Sequence, residues 1–269
     1  MSREVARRKL ATMDYMKTEI VENVEAAPGT SLLRFRGERP VAGTPGQFVM
    51  VRGAWGAHPV LGRAFSLVET GATAAVLVRA VGDGTRRLVA LEPGDTLSVL
   101  GPLGHGFAAL EPGRAAVLVA GGVGVAPIAF LAERLAAAGA RPTILFGART
   151  AGDLPLRERL AAAGDLVVTT EDGSVSERGL VTAPLERLLS ARRDVQVFAC
   201  GPEPMLEAVA KLAVAASTPC QVALESPMAC GMGTCKGCAV LSASGDYKYV
   251  CSDGPVFDSA AIWGEGGAR

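Results

Sequence analysis

The chain has 269 residues, and its 27 Lys and Arg are balanced by 27 Asp and Glu, a formal charge of zero. Both signs are spread along the chain, which excludes a basic nucleic-acid footprint, and three Tyr, two Trp and eight Phe are too few for base-stacking platforms. The length allows two domains with a small appendage, and a core that needs no staples.

The opening "MSREVARRKLATMDYMK" carries charges with no apolar run behind them, so no signal peptide is read there and the reducing cytoplasm is the expected compartment. The first dozen residues are polar and are expected to be loose. From residue 17 to 112 the runs are short, alternating and turn-punctuated: "TEIVENVEAAPGTSLLRFRG", "PGQFVMVRG", "RAFSLVET", "AAVLVRAVG" and "DTLSVLGPLG". They predict antiparallel strands of a sandwich or barrel, with one helix starting near Thr85.

From residue 114 the rhythm changes. "AAVLVA", "PTILFGA", "DLVVTTE" and "VQVFACG" alternate with the helical patterns "APIAFLAERLAAAG", "PLRERLAAAG", "APLERLLS" and "PEPMLEAVAKLAV", the signature of a doubly wound parallel sheet. Residues 115–132 form an uncharged stretch of the length at which a membrane helix must be weighed. Three glycines and Pro127 interrupt it, so a buried strand, a turn and a helix are the better reading, and no membrane span is expected. Beyond Cys220 the chain is too short for an independent core.

That last segment holds Cys230, Cys235, Cys238 and Cys251, spaced C-x4-C-x2-C-x12-C. Disulfides are disfavoured in a reducing compartment. Zinc sites usually present two short Cys-x-x-Cys pairs, and this stretch has one. C-x4-C-x2-C is the plant-type [2Fe-2S] spacing, in which a loop wraps the cluster and a distant cysteine closes it. Gly231, Gly233 and Gly237 would let main-chain N–H groups approach the sulfurs. A cluster, a structural zinc and incidental thiols stay open, with the cluster favoured.

Other short motifs carry two readings each. In "GRAFSL", Arg63 and Ser66 could meet a phosphate and an isoalloxazine edge, or be an ordinary strand with a surface arginine. In "VRAVGDGTRRL", Gly84 and Thr85 open a helix whose N-terminus favours a pyrophosphate, or merely cap it. "VAGGVGVAP" joins a strand to a helix, as a dinucleotide turn would, yet departs from G-x-G-x-x-G and also suits tight packing. "FACGPEPM" places Cys200 and Gly201 at the carboxyl edge of the sheet, and Cys200 could equally be an inert buried thiol.

Taken in order, these motifs resemble the flavin reductases related to ferredoxin reductases. With "GPLGHGF", "CGMGTCKGC" and "VCSDGPVF" added, the chain resembles the electron-transfer subunits of NAD-linked, two-subunit dihydroorotate dehydrogenases from about residue 17 onward. The resemblance implies an antiparallel β-barrel FAD domain (15–112), an α/β doubly wound nicotinamide domain (113–220) and a [2Fe-2S] segment (221–269). It assigns Arg63 to the FAD phosphates, Ser66 to the flavin ring with Ala64 and Phe65 beside it, Leu77, Val78 and Arg79 to the ribityl and phosphate side, and Gly84 and Thr85 to the pyrophosphate. Gly121, Gly122, Gly124 and Gly201 go to the nicotinamide cofactor, Ser66 and Cys200 to the catalytic step, and the four cysteines to the cluster.

Two positions depart from the family pattern. Ala64 stands where R-P-x-S has proline, and Ser226 follows Glu225 where a basic residue is usual. Nicotinamide delivers two electrons and a cluster accepts one, so a flavin must lie between them. A barrel binding FMN and orotate would need about 250 more residues. The implied partner is therefore a separate FMN-containing catalytic subunit, in a hetero-oligomer, here a heterotetramer, of pyrimidine biosynthesis. A diaphorase-like subunit serving a hydrogenase, sulfite reductase or ferredoxin-dependent enzyme is the alternative, and a zinc-stapled α/β binding module the reading from another class. The acidic "TTEDGS", residues 169–174, suits NAD.

Overall fold

The computed structural model describes residues 15–56 and 59–264; the N-terminal dozen expected to be loose lies outside them. The alternating runs form a closed antiparallel barrel of β1 (Met16–Ala27), β2 (Thr30–Gly37), β3 (Phe48–Gly53), β4 (Arg63–Glu69), β5 (Ala74–Arg79) and β6 (Thr96–Leu103), in the order β1-β2-β5-β4-β3-β6. Closure leaves no open edge. The expected helix is α1 (Asp83–Val89). The uninterrupted apolar run of β5 has a cause: Val76 and Val78 fill the barrel interior, while Ala75 and Leu77 pack outward against the second domain.

The second domain comprises β7 (Ala115–Gly121), α2 (Val125–Ala137), β8 (Thr143–Ala148), α3 (Arg157–Ala163), β9 (Asp165–Thr170), β10 (Glu177–Arg178), α4 (Thr182–Ala191), β11 (Val195–Cys200), α5 (Glu203–Ala215) and β12 (Cys220–Ala223). The C-terminal segment adds a hairpin of β13 (Ala239–Leu241) and β14 (Tyr247–Tyr249), then β15 (Val256–Asp258) and α6 (Ser259–Trp263). The sheet order is β10-β9-β8-β7-β11-β12-β15, parallel except for β15. The sheet thus runs beyond Cys220, the end of the nicotinamide domain that the resemblance implies, and β15 ties the C-terminal segment to its edge.

The uncharged stretch resolves into β7, a turn and the first two turns of α2. Residues 125–132 of α2 are all buried, because the helix is held between sheet and barrel and needs apolar side chains all round. Among the described residues no helix is long and apolar enough to cross a membrane. On the other side Phe48, Met50, Leu100 and Leu103 of the barrel share a core with Cys238, Val250 and Cys251 and with Val117 and Val197 of the sheet. The cysteine segment is therefore wedged between the two domains.

Candidate functional site

A cleft opens where two barrel strands part. β4 pairs with β5 only at Leu67↔Val76 and Glu69↔Ala75, whereas its first half, from Arg63 to Ser66, pairs with β3. Residues 77–79 keep only their β2 partners. The opening is a cavity of about 680 Å³, in the size range of cofactor sites. Arg63, Ala64, Phe65 and Ser66 form one lip, Leu77, Arg79 and Thr85 the other, and Val123, Ala126 and residues 224–228 the far wall.

Three assigned residues behave differently from expectation. The Val78 side chain is fully buried in the barrel interior, since strand alternation turns it away from the cleft, so only its main chain is left for a cofactor. The Thr85 hydroxyl is committed to its own turn: it accepts from the Val81 and Gly82 N–H groups at 2.9 Å each and donates to the Gly82 carbonyl at 3.0 Å. Gly84 is absent from the lining, but a Cβ there would lie 2.4 Å from Arg63 Cζ. The guanidinium therefore rests on the start of α1, and its Nη1 also donates to the Leu61 carbonyl. Arg79 is anchored to Asp153 of the second domain at 3.3 Å. The two lips of the cleft thus carry one cation each.

The glycine turn sits at the topological switch point, where β7 has β8 on one side and β11 on the other. A Cβ on Gly124 would lie 2.6 Å from the Cys200 carbonyl carbon and oxygen and the Gly201 nitrogen, so this glycine lets α2 start against the end of β11. Gly122, at φ +53, meets nothing within 4 Å and faces open space. Gly121 and Gly201 both lie under Met205. The tight-packing reading therefore accounts for Gly124, and Gly122 and Val123 face the side where a ligand can lie. Cys200 lines none of the cavities described here; burial, then the neighbouring Glu225, push its thiol well above its usual value, so it is neutral.

The four cysteines are brought together two and two. Cys238 and Cys251 are buried, with sulfurs 3.2 Å apart, longer than the roughly 2.05 Å of a disulfide. Cys230 and Cys235 lie outward, and the Cys235 N–H donates to the Cys230 sulfur at 3.4 Å. Main-chain donors converge as well: Met232 on Cys230 at 3.5 Å, Gly233 on Cys251 at 3.1 Å and Cys251 on Cys238 at 3.4 Å. Burial raises the Cys230 thiol, but the N–H groups of Cys235 and Met232, then the Cys235 thiol and the Thr234 N–H, outweigh it and hold it at about 7. Cys251 is pushed up to about 12, by burial first and then by Cys238.

Among the described residues no three His, Cys, Asp or Glu side chains converge as the ligands of a single ion. Two pairs of thiols with N–H groups aimed at sulfur suit a binuclear cluster, one pair per iron. A groove of about 520 Å³ beside the pairs is lined by Arg39, Pro102, His105, Gly231, Met232, Cys251 and Ser252.

Sequence reasoning passed over Glu225 as a site residue and noted it only as a landmark. It lines the large cleft and also a smaller cavity of about 100 Å³ with Gly201, Pro202 and Glu203. Part of its surface is open at the mouth, yet protein surrounds most of it, and burial raises its carboxyl above the usual range. Phe48, Leu61, Pro227 and Met228 were missed as well. The adjacency of 224–228 to the first cysteine was the available signal.

Comparison with known proteins gives two family matches. Residues 225–262 match the iron-sulfur cluster binding domain of dihydroorotate dehydrogenase B, and residues 118–211 an oxidoreductase NAD-binding domain. A dihydroorotate dehydrogenase B (NAD(+)) electron transfer subunit from Caldanaerobacter subterraneus is 38% identical over 248 residues, 90% of this chain and 96% of the relative. A probable subunit of the same name from Methanopyrus kandleri is 41% identical over 261 residues, 93% and 94% of the two chains. Among solved structures, one of an NADH-dependent reduced ferredoxin-NADP oxidoreductase superposes with a TM-score of 0.81 at 30% identity, covering 93% of this chain and 91% of that one. The ferredoxin reductase of carbazole 1,9a-dioxygenase, at 20% identity and a TM-score of 0.69, covers 76% and 66% and shares the fold.

Proposed function

Because the chain belongs to the family of electron-transfer subunits of NAD-linked dihydroorotate dehydrogenase B, we propose that it passes electrons between NAD(H), FAD, a [2Fe-2S] cluster and a separate FMN-containing subunit that acts on dihydroorotate. It would do so in the cytoplasm, in pyrimidine biosynthesis. One observation carries the reading: residues 224–228 wall the cleft, and Cys230 follows Met228 by two residues. Two trans peptides span at most about 7.6 Å between Cα atoms, so a thiol ligand and the cleft wall cannot be far apart.

Bound FAD would exchange a hydride with nicotinamide and electrons singly with the cluster. Arg63, resting on the start of α1, would hold the pyrophosphate, with Arg79 on the opposite lip, and Ser66, Ala64 and Phe65 would line the flavin ring. Gly122 and Val123 leave room for a dinucleotide beside the first turn of α2. Cys200 acts through shape, since a neutral buried thiol is neither base nor nucleophile. Cys238 and Cys251 would hold one iron of a [2Fe-2S] cluster and Cys230 and Cys235 the other.

The isolated protein is expected to pass electrons from NADH to ferricyanide and to leave dihydroorotate untouched, and adding the FMN-containing subunit is expected to couple the two. Dihydroorotate oxidation by the isolated chain would contradict the subunit reading. The likeness to a ferredoxin-linked oxidoreductase favours a second partner class, which wins if coupling fails with the dihydroorotate subunit and succeeds with a ferredoxin-dependent one.

A further inference from the structure

Five charged side chains form one alternating line across the two domains, and none of them lines the cavities described above. Glu22 of β1 pairs with Arg34 of β2. Arg34 Nε donates to Glu69 Oε1 at 2.7 Å, and the other Glu69 oxygen faces Arg159 Nη1 of α3 at 3.2 Å. Arg159 then forks onto Glu133 of α2, through Nε at 2.7 Å and Nη2 at 2.8 Å. The two central side chains, Arg159 and Glu69, are only 23% and 25% exposed, so the inner links are screened less than surface pairs. The planar two-point contact on Glu133 fixes the direction of the Arg159 guanidinium within the second domain, and the buried Nη1, which makes no hydrogen bond, meets Glu69 across the domains as a charge contact.

Position gives the line its consequence. Glu69 ends β4, and the other end of that strand forms a lip of the large cleft; Glu133 lies in α2, and the start of that helix forms the far wall. The same two elements are thus tied by ion pairs at one end and parted by the cleft at the other. Between the ends they share one apolar core, to which β4 gives Val68 and α2 gives Ala129 and Ala132. Apolar contact is non-directional. It holds β4 against α2 without setting their angle; the Arg79–Asp153 pair at 3.3 Å also bridges the domains, but from β5 beside the cleft.

We propose that Glu22, Arg34, Glu69, Arg159 and Glu133 form a positioning clasp, which fixes the angle between β4 and α2 and so the spacing at which nicotinamide at the glycine turn faces flavin in the barrel cleft. Glu69, shared by two guanidinium groups, is its centre. The inference rests on the electron-transfer reading of the cleft, and it adds residues that touch neither cofactor.

The test compares the full protein, carrying FAD and cluster, with Glu69→Gln, Arg159→Gln and Arg159→Lys, the last keeping charge but losing the fork. Hydrogen exchange is followed in peptides covering 63–69 and 121–133, and flavin reduction by NADH in a single turnover. Glu69→Gln and Arg159→Gln should exchange faster around 121–126. They should reduce flavin on the order of tenfold more slowly with KM little changed, since about 1 Å of misplacement can cost roughly a hundredfold. Arg159→Lys should fall between them and the parent. FAD content and the cluster spectrum should match the parent throughout. Unchanged exchange and rate, with only a lower thermal midpoint, would overturn the clasp. A parent protein whose flavin NADH does not reduce would instead count against the electron-transfer reading, and the exchange data would still decide whether the clasp holds the domains.

Discussion

Cys251 and Cys238 hold each other twice: their sulfurs are 3.2 Å apart, and the Cys251 N–H donates to the Cys238 sulfur at 3.4 Å. The pair lies in the core shared by barrel and sheet. Serine at either position should therefore remove both irons and loosen the whole C-terminal segment, because binding free energy there is folding free energy. Iron and acid-labile sulfide, about two of each in the parent protein, check this. Cys220→Ser should leave iron unchanged, since that thiol is buried at the start of β12, apart from the two cysteine pairs.

Gly124 and Gly122 separate packing from binding. Alanine at 124 meets main chain at 2.6 Å, which cannot swing aside, so Gly124→Ala should lose about 1–3 kcal/mol or more of stability. Gly122→Ala enters open space at φ +53 and should cost only about 1–2 kcal/mol of backbone strain. It should raise KM for NADH without changing FAD content. Denaturant midpoints beside NADH titrations read the two effects apart.

The strands and helices were legible because their apolar periods are local, and the cysteine spacing was legible because a cluster loop is local too. What escaped was non-local. β15 is three residues long and joins a sheet edge by pairing residues 256–258 with 221–223, which no period in the sequence encodes. Glu225 reads as a polar residue before a loop and becomes a site residue only because Gly201 and the cleft close around it. Val78 could have been placed: in a strand with both faces covered, alternation with Leu77 already says that the two cannot point into one cleft.

Arg63 lies on Gly84 at the start of α1, where a pyrophosphate would meet a guanidinium and main-chain N–H groups together. Arg63→Gln should keep the fold and weaken FAD by about 1.5–3 kcal/mol, the worth of hydrogen bonds to a charged group, or roughly ten- to a hundredfold in Kd. Flavin released on heating and a titration of the stripped protein would measure it. Undiminished FAD affinity would remove Arg63 from the site.

Glu225 carries a pH signature. Burial raises its pKa in the folded protein above the ordinary 4.5, so its contribution to stability is fully present below 4.5 and is lost as pH rises through the raised value. Glu225→Gln cannot ionise and should escape that loss. The difference in thermal midpoint between variant and parent should grow in the variant's favour from pH 5 upward and then level off, and it should be small, because the carboxyl is partly open to water. A difference independent of pH would mean that the carboxylate is solvated after all.

The outer thiols give the sharpest division of labour. Cys235 is exposed, and neither its side chain nor that of Cys230 belongs to the buried core, so Cys235→Ser should remove the cluster while disturbing the barrel and the nicotinamide domain least. The flavin cleft is lined by residues of β3, β4, β5, α1 and α2 with 224–228 and Pro255 among others, and Cys235 is not one of them. NADH-to-ferricyanide turnover should therefore persist, whereas electrons bound for the FMN-containing subunit should lose their only one-electron relay next to the groove at Met232 and Ser252. Dihydroorotate-linked NAD reduction by the reconstituted complex should fall to background with complex formation intact, as seen by gel filtration. If the cluster-less variant still couples, electrons pass from flavin to flavin directly and the cluster is structural. If it loses dye reduction as well, the cluster segment sets the shape of the flavin cleft through 224–228, and FAD content in the same preparation shows by how much.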